Sequence, residues 1–319
     1  MLLLPKGNPL FENMSVTKLN LPETMTLLST GNFSGYACFQ FQSSTAILVF
    51  ESGKMLSVIL EDNTGNRLSG FEALTGLVEL IVTSGSGSLN IYKLSKDLTI
   101  CIHALMQGEI LYKGQELRLI DSKLLIEKIK SDRMNGCLRV YTADRSAIIF
   151  FKDGQPLGFF HDGSDEIELS SSESQKIATL PGAKMDLFSS QDQESLQNMD
   201  LLDIINVKDI WDRSVSRHNL VIEKLTRERE EREKQAINSK FSDLEEQLKT
   251  IVSEHVGKAG RAIVDKELST LGGISLLKDE ANMSRLLTAI EKSAKLLIGA
   301  TTLKTLMGRL QSLTNEIKN

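Results

Sequence analysis

Apolar residues along this chain follow two different rhythms. Up to about residue 190 they come in short runs separated by glycine turns; beyond that they recur at helical spacing. Residues 46–50 and 147–151 are apolar at every position, which predicts central strands buried on both faces. Each follows a strand that begins beside a glycine, Gly35 or Gly136. Each precedes a tight turn, Ser52-Gly53 or Asp153-Gly154, because glycine takes positive φ without steric cost. A third strand is then predicted over residues 55–60 or 157–160. Short apolar-periodic segments lie upstream, at residues 21–28 and at Leu124, Leu125 and Ile129. Downstream, the first set continues with a helix over 68–82, a Ser-Gly-Ser-Gly-Ser turn and a strand over 89–94. The second continues with a shorter helix near 172–179, Pro181-Gly182 and a strand over 185–188. Residues 98–111 are helix-periodic, with Ile100, Ala104, Leu105 and Ile110 near one face, and join the two sets.

The two sets are copies of one another. Residues 35–53 align without a gap on residues 136–154, a displacement of 101 residues. The two glycines, Ala46-Ile47 with Ala147-Ile148, and Phe50 with Phe151 are identical. Only two copies are present, so this is a duplicated domain and no solenoid. The predicted fold is α+β: two tandem small antiparallel-sheet modules with packed helices, then an all-α bundle reached through a long charged helix. The expected bounds are 1–112 and 113–195 for the modules, 196–236 for a helical linker and 237–319 for the bundle.

Past residue 195 the pattern is helical throughout. Residues 227–234 carry four positive and four negative charges, with Arg227/Glu231, Glu228/Arg232, Arg229/Glu233 and Glu230/Lys234 at i,i+4. Each such pair supports a helix by ~0.2–0.5 kcal/mol, and a stretch with no apolar residue predicts a solvated bridging helix. A helix over residues 220–252 would extend roughly 50 Å. Ile237, Phe241, Leu244, Leu248 and Ile251 then alternate spacings of four and three, the seam of a coiled coil or bundle helix. Residues 259–268, 283–298 and 303–317 are apolar-striped helices, broken at Gly272-Gly273 and near Gly299. Ile237, Phe241, Leu244 and Leu248 are the candidates for self-association, giving a homodimer; packing within their own bundle is the alternative.

Charge and composition narrow the function. The net charge of −5 and the 5% aromatic content disfavour nucleic-acid binding by phosphate neutralisation or base stacking. No run approaches the length of a membrane span, and Pro5, Lys6 and Asn8 interrupt the Leu2-Leu3-Leu4 start before a secretory core forms. Cys38, Cys101 and Cys137 are odd in number and far apart, so no disulfide framework is expected and the cytoplasm is the expected compartment.

Catalytic motifs are not found. Gly257-Lys-Ala-Gly-Arg261 lacks the spacing of a phosphate loop, and Ser84-Gly-Ser-Gly-Ser88 precedes a strand, not a helix. Ser293-Ala-Lys295 has the wrong spacing for a Ser-x-x-Lys nucleophile. His103, His161, His218 and His255 have no metal-ligand spacing, and the acidic run Asp162, Asp165, Glu166, Glu168 lacks a calcium-loop pattern. No cofactor, metal ligand or catalytic residue is assigned. His161-Asp162, after Phe159-Phe160 at a strand end, is either a partner or ligand contact or a locally bonded turn. Trp211, the only tryptophan, either anchors its helix on the second module or contributes to an interface.

Several segments resemble the PATAN family, the N-terminal module of bacterial response regulators. These are Gly35 and Gly136, Ala-Ile-x-x-Phe-x-x-Gly at 46–53 and 147–154, Asn135-Gly-Cys-Leu-Arg139, Gly158-Phe-Phe-His-Asp-Gly163, residues 102–108 with 114–117, and residues 180–186. The resemblance covers roughly residues 15–190 and implies regulation through protein–protein contact, with response regulators or motility proteins among the partners. No receiver domain is seen; the helical bundle takes its place. The expected function is therefore a non-enzymatic, cytoplasmic bacterial signalling adaptor. The alternatives are a small-molecule sensor with a pocket between sheet and helices, or an unrecognised hydrolase or nucleotide-handling enzyme.

Overall fold

The computed structural model describes residues 4–190 and 199–318. The chain divides into two compact units, Met1–Leu220 and Val221–Asn319. The expected boundary at 195/196 lies outside the described residues. The fold is α+β, as the periodicity predicts: two antiparallel sheets with packed helices, followed by helices alone.

In the first unit, β1 (Asn8–Ser15), β2 (Gly35–Gln40), β3 (Ser44–Glu51), β4 (Lys54–Asp62), β5 (Arg67–Ser69) and β6 (Ser88–Lys93) form one sheet, in the order β1-β6-β2-β3-β4-β5. The second sheet contains β7 (Glu109–Glu116), β8 (Gly136–Tyr141), β9 (Ser146–Lys152), β10 (Gln155–His161) and β11 (Lys184–Ser189), in the order β7-β11-β8-β9-β10. Removing β5 makes the two orders identical. The register is identical too: Gly35 faces Phe50 and Gly136 faces Phe151.

The copied glycines have a steric cause. Gly35 and Gly136 lie at φ of +144° and +149°, and a Cβ there would stand 2.0 Å from the Tyr92 carbonyl oxygen or 2.1 Å from that of Phe188. The neighbouring strand passes too close for any side chain. The predicted turns also match, with Ser52-Gly53 at φ 52° and 83° and Asp153-Gly154 at 49° and 73°. Their outer hydrogen bonds repeat 101 residues on. Gly53 N–H donates to the Phe33 carbonyl, and Gly154 N–H to that of Met134. Ser52 N–H donates to the Ser34 hydroxyl, and Asp153 N–H to the Asn135 side-chain carbonyl.

Helices α1 (Leu21–Thr30) and α2 (Gly70–Thr83) cover the outer face of the first sheet, and α4 (Ser122–Ser131) and α5 (Ser172–Ala178) that of the second. Between the sheets lies α3 (Lys96–Gln107). The pattern predicts one apolar face here; the structure instead buries eight of its residues, from Leu98 to Met106, on every side. Its core contains Tyr36, Ile47, Val49 and Tyr92 from the first sheet and Cys137, Ile148, Phe150 and Phe160 from the second. The helix ends at Gln107, so Ile110 belongs to β7 and not to this helix.

A short helix, α6 (Leu201–Ile204), and the first turns of α7 (Val207–Val256) then pack on the first sheet's outer layer through Leu201, Ile205, Val207, Ile210 and Trp211. Trp211 therefore serves the first module and not the second, because Met55 of β4 supplies a backbone N–H to the Asp200 carboxylate at 3.0 Å. The corresponding position of the second module is Pro156, which has no N–H to give.

The second unit is built from the remainder of α7 with α8 (Gly260–Leu271), α9 (Glu280–Ala294) and α10 (Ala300–Lys318). The breaks fall at Gly272-Gly273 and around Gly299, as the pattern predicts; Gly272 stops α8 at a φ of 90°. Leu244, Leu248, Val252, Val264, Leu286, Ile290, Leu306 and Leu310 fill the core. Along the charged stretch of α7, Arg229 pairs with Glu233, while Arg227 pairs back to Glu223 and Glu228 to Lys224.

Candidate functional site

Edge strands β1 and β7 carry the same clamp. Asn13 in β1 and Gly114 in β7 sit at φ 53° and 63°, which lifts the strand out of register. The freed N–H groups are caught from the next strand: Asn13 N–H donates to Asn90 Oδ1 at 2.8 Å, and Gly114 N–H to Asp186 Oδ1 at 2.7 Å. Asp186 also accepts from the Tyr141 hydroxyl at 3.3 Å and lies 3.9 Å from Arg139. Bulges of this kind blunt a sheet edge against pairing with another chain.

The expected contact residues of the second module are committed internally. Phe160 is buried in the core between the sheets, and Phe159 is bridged by backbone hydrogen bonds to Glu168. Gly163 N–H donates to His161 Nδ1 at 2.9 Å, so the neutral ring carries its proton on Nε2, 3.1 Å from Glu168 Oε1. Asp162 accepts from Ser146 N–H at 2.9 Å and from Arg145 Nε at 3.0 Å. Arg145 also reaches Glu173 at 3.5 Å. These bonds tie the turn after β10 to β9 and α5. Among the described residues, no three His, Cys, Asp or Glu side chains are grouped to hold a metal ion.

Trp211 lines a groove of about 530 Å³ with Asn20, Pro22, Leu27 and Asp212. Thr26 and Thr30 there donate their hydroxyls to the carbonyls four residues back. A separate cleft of about 380 Å³ lies beside β5, where Arg67 donates to the Met106 carbonyl at 2.7 Å. Burial lowers the Arg67 guanidinium pKa, against the opposing charge of Glu61. The cysteines are free thiols, and burial pushes Cys38 up to about 11, Cys101 up to about 12, and Cys137 upward as well. Burial also drives His103 down to about 4, with Nδ1 lacking a hydrogen-bond partner. Of the proposed self-association residues, Leu244 and Leu248 lie in the bundle core, Phe241 packs against it, and Ile237 is exposed.

One surface was not foreseen. Leu119 is 74% exposed and Leu124 62% exposed, two residues before and three after the Asp121 cap of α4. Leu180 is exposed on the adjoining turn, which is held by Leu117 N–H donating to the Ala183 carbonyl at 3.0 Å. The first module repeats this bond from Val16 N–H to Gly87 and the cap with Asn20. The matching positions there are Lys18, Glu23 and Ser84. The signal was available in the sequence: extending the gap-free alignment upstream sets Lys18 against Leu119 and Glu23 against Leu124.

The fold and these sites define a duplicated α+β sheet protein with a helical C-terminal unit. Residues 2–106 match the model of a family described as an uncharacterized protein conserved in archaea (DUF2226). No curated protein and no solved structure matches the chain. The match overturns the PATAN resemblance. The shared positions behind that resemblance are turn glycines and central-strand apolar residues, which many small sheets require. The bacterial signalling adaptor and its sensor alternative fall with it.

Proposed function

We propose that this chain is a non-catalytic surface-binding protein whose second module presents the working face at Leu119, Leu124 and Leu180. The observation that carries this is the internal comparison: the same backbone turn and helix cap carry exposed polar residues in one copy and exposed leucines in the other. Folding needs no leucine at those positions, since the first module forms the same bonds without them. Scattered surface apolar residues are ordinary; three on adjoining turns, absent from the duplicate, point to contact.

The non-catalytic reading is supported by thiols held protonated by burial and by His103 held neutral inside the protein. Among the described residues, no helix is long and apolar enough to cross a membrane. The three free cysteines support a reducing compartment such as the cytoplasm.

Photo-crosslinking tests the face. A benzophenone side chain placed at Leu124 should form adducts in a native extract containing membranes, while the same probe at Glu23 should form few. Equal labelling from both positions would sink the reading.

A further inference from the structure

We propose that the leucine face of the second module docks on an anionic lipid surface, an inference that rests on that face being the working one. Leu119 and Leu124 are among the more exposed large apolar side chains, so they stand out from the turn instead of lining a groove. An amphipathic peptide needs a concave apolar seat; a bilayer interface accepts protruding ones.

The surrounding charge matches such a surface. Arg118, Lys123, Lys128 and Lys184 are exposed around the leucines, where the first module has Thr17, Pro22, Leu27 and Ser88. Lys123, Lys128 and Lys184 form no ion pair among the described residues. Glu116 pairs with Arg118, and Asp121 accepts the N–H groups of Lys123 and Leu124; Glu127 is exposed on the same helix, offset by exposed Lys130. The whole chain carries a net charge of −5, so an anionic bilayer repels it in most orientations. A local cationic rim around protruding leucines selects one orientation, with the outer corner of α4 facing the lipid. An excess of about two positive charges at an anionic surface favours binding on the order of 30-fold over a neutral one.

The test is co-sedimentation of the full chain with vesicles of phosphatidylcholine alone and of phosphatidylcholine mixed with phosphatidylglycerol. Binding is expected to the mixed vesicles, with a preference of about 30-fold that shrinks as salt screens it. L119D/L124D should weaken it by more than about 10-fold, since two apolar contacts are lost. Lys123→Glu/Lys128→Glu should abolish the preference for the mixed vesicles. Lys18→Asp/Glu23→Asp on the first module should leave binding unchanged. All these sites are exposed, and circular dichroism will verify that the variants fold. Absence of binding to mixed vesicles, equal binding to both vesicle types, or full binding by L119D/L124D would overturn the lipid assignment. If vesicles fail while the probe at Leu124 still captures a protein, the working face stands and its partner is a protein. If both fail, the face itself is withdrawn.

Discussion

The two modules share strand order, register, turns, caps and edge clamps, yet their outer layers have diverged. The first is covered by α1 and α2 together with α6 and the start of α7, locked by Asp200 on the Met55 N–H. The second has only α4 and the seven-residue α5 over the same face, and Pro156 forbids the Asp200 lock. Backbone constraints were kept in both copies and the side chains over them were reassigned. Duplication thus separates what the fold needs from what one copy does.

The largest way to break that comparison is to violate a shared constraint. Gly136→Val places side-chain atoms against the Phe188 carbonyl in a positive-φ position. A loss of about 4 kcal/mol or more is expected, enough to unfold the unit in urea titrations. Gly35→Val should do the same in the first module; a mild effect at either position would mean that the strands can separate there without cost.

Next in size is a pH effect from the helix that both modules share. His103 is held well below its usual pKa, at about 4, by burial. A histidine whose folded pKa is depressed leaves the unfolded chain binding more protons between that value and the unfolded one. Stability from this residue is therefore complete above about pH 6.5 and declines as pH falls toward 4, by up to about 3 kcal/mol. His103→Leu should flatten the slope of urea midpoint against pH across that window. An unchanged slope would assign acid sensitivity elsewhere.

A smaller effect probes the clamps. Asp186→Ala leaves the Gly114 N–H without its acceptor and should cost about 1–3 kcal/mol in chemical denaturation. Asp186→Asn should cost far less, because Asn90 already performs this task in the first module. Equal losses would show that the ion pair to Arg139 matters more than the bulge bond. Smallest of all, L119D/L124D should change the melting midpoint hardly at all, since exposed substitutions stay within about 0.5 kcal/mol each. A large loss would make those leucines structural after all.

How much could be read from the chain follows the same division. Central strands, turn glycines and bundle seams were legible because burial on both faces or at helical spacing leaves a periodic trace. Edge strands β1 and β7 were missed: none of their residues is buried, and the bulges at Asn13 and Gly114 break alternation. The role of α3 was missed because contact on every side leaves no stripe to read. Trp211 was placed on the wrong module, since nothing local records that Asp200 reaches back to Met55 across 145 positions. The bonding of the turn after β10 was unreadable for a related reason. His161 and Asp162 have the residue types of a site, but their partners, Glu168, Arg145 and Ser146, take up their hydrogen bonds.

The position of α3 has a consequence for how the molecule comes apart. The segment that matches the archaeal family ends at residue 106, one short of the end of this helix. Cutting there would strip the second sheet from the side of α3 that holds Cys101, whose thiol donates to the Phe151 carbonyl at 3.3 Å. Neither sheet can melt without uncovering that helix, so the pair should lose structure in a single cooperative transition. The duplicated halves are two in sequence and one in thermodynamics.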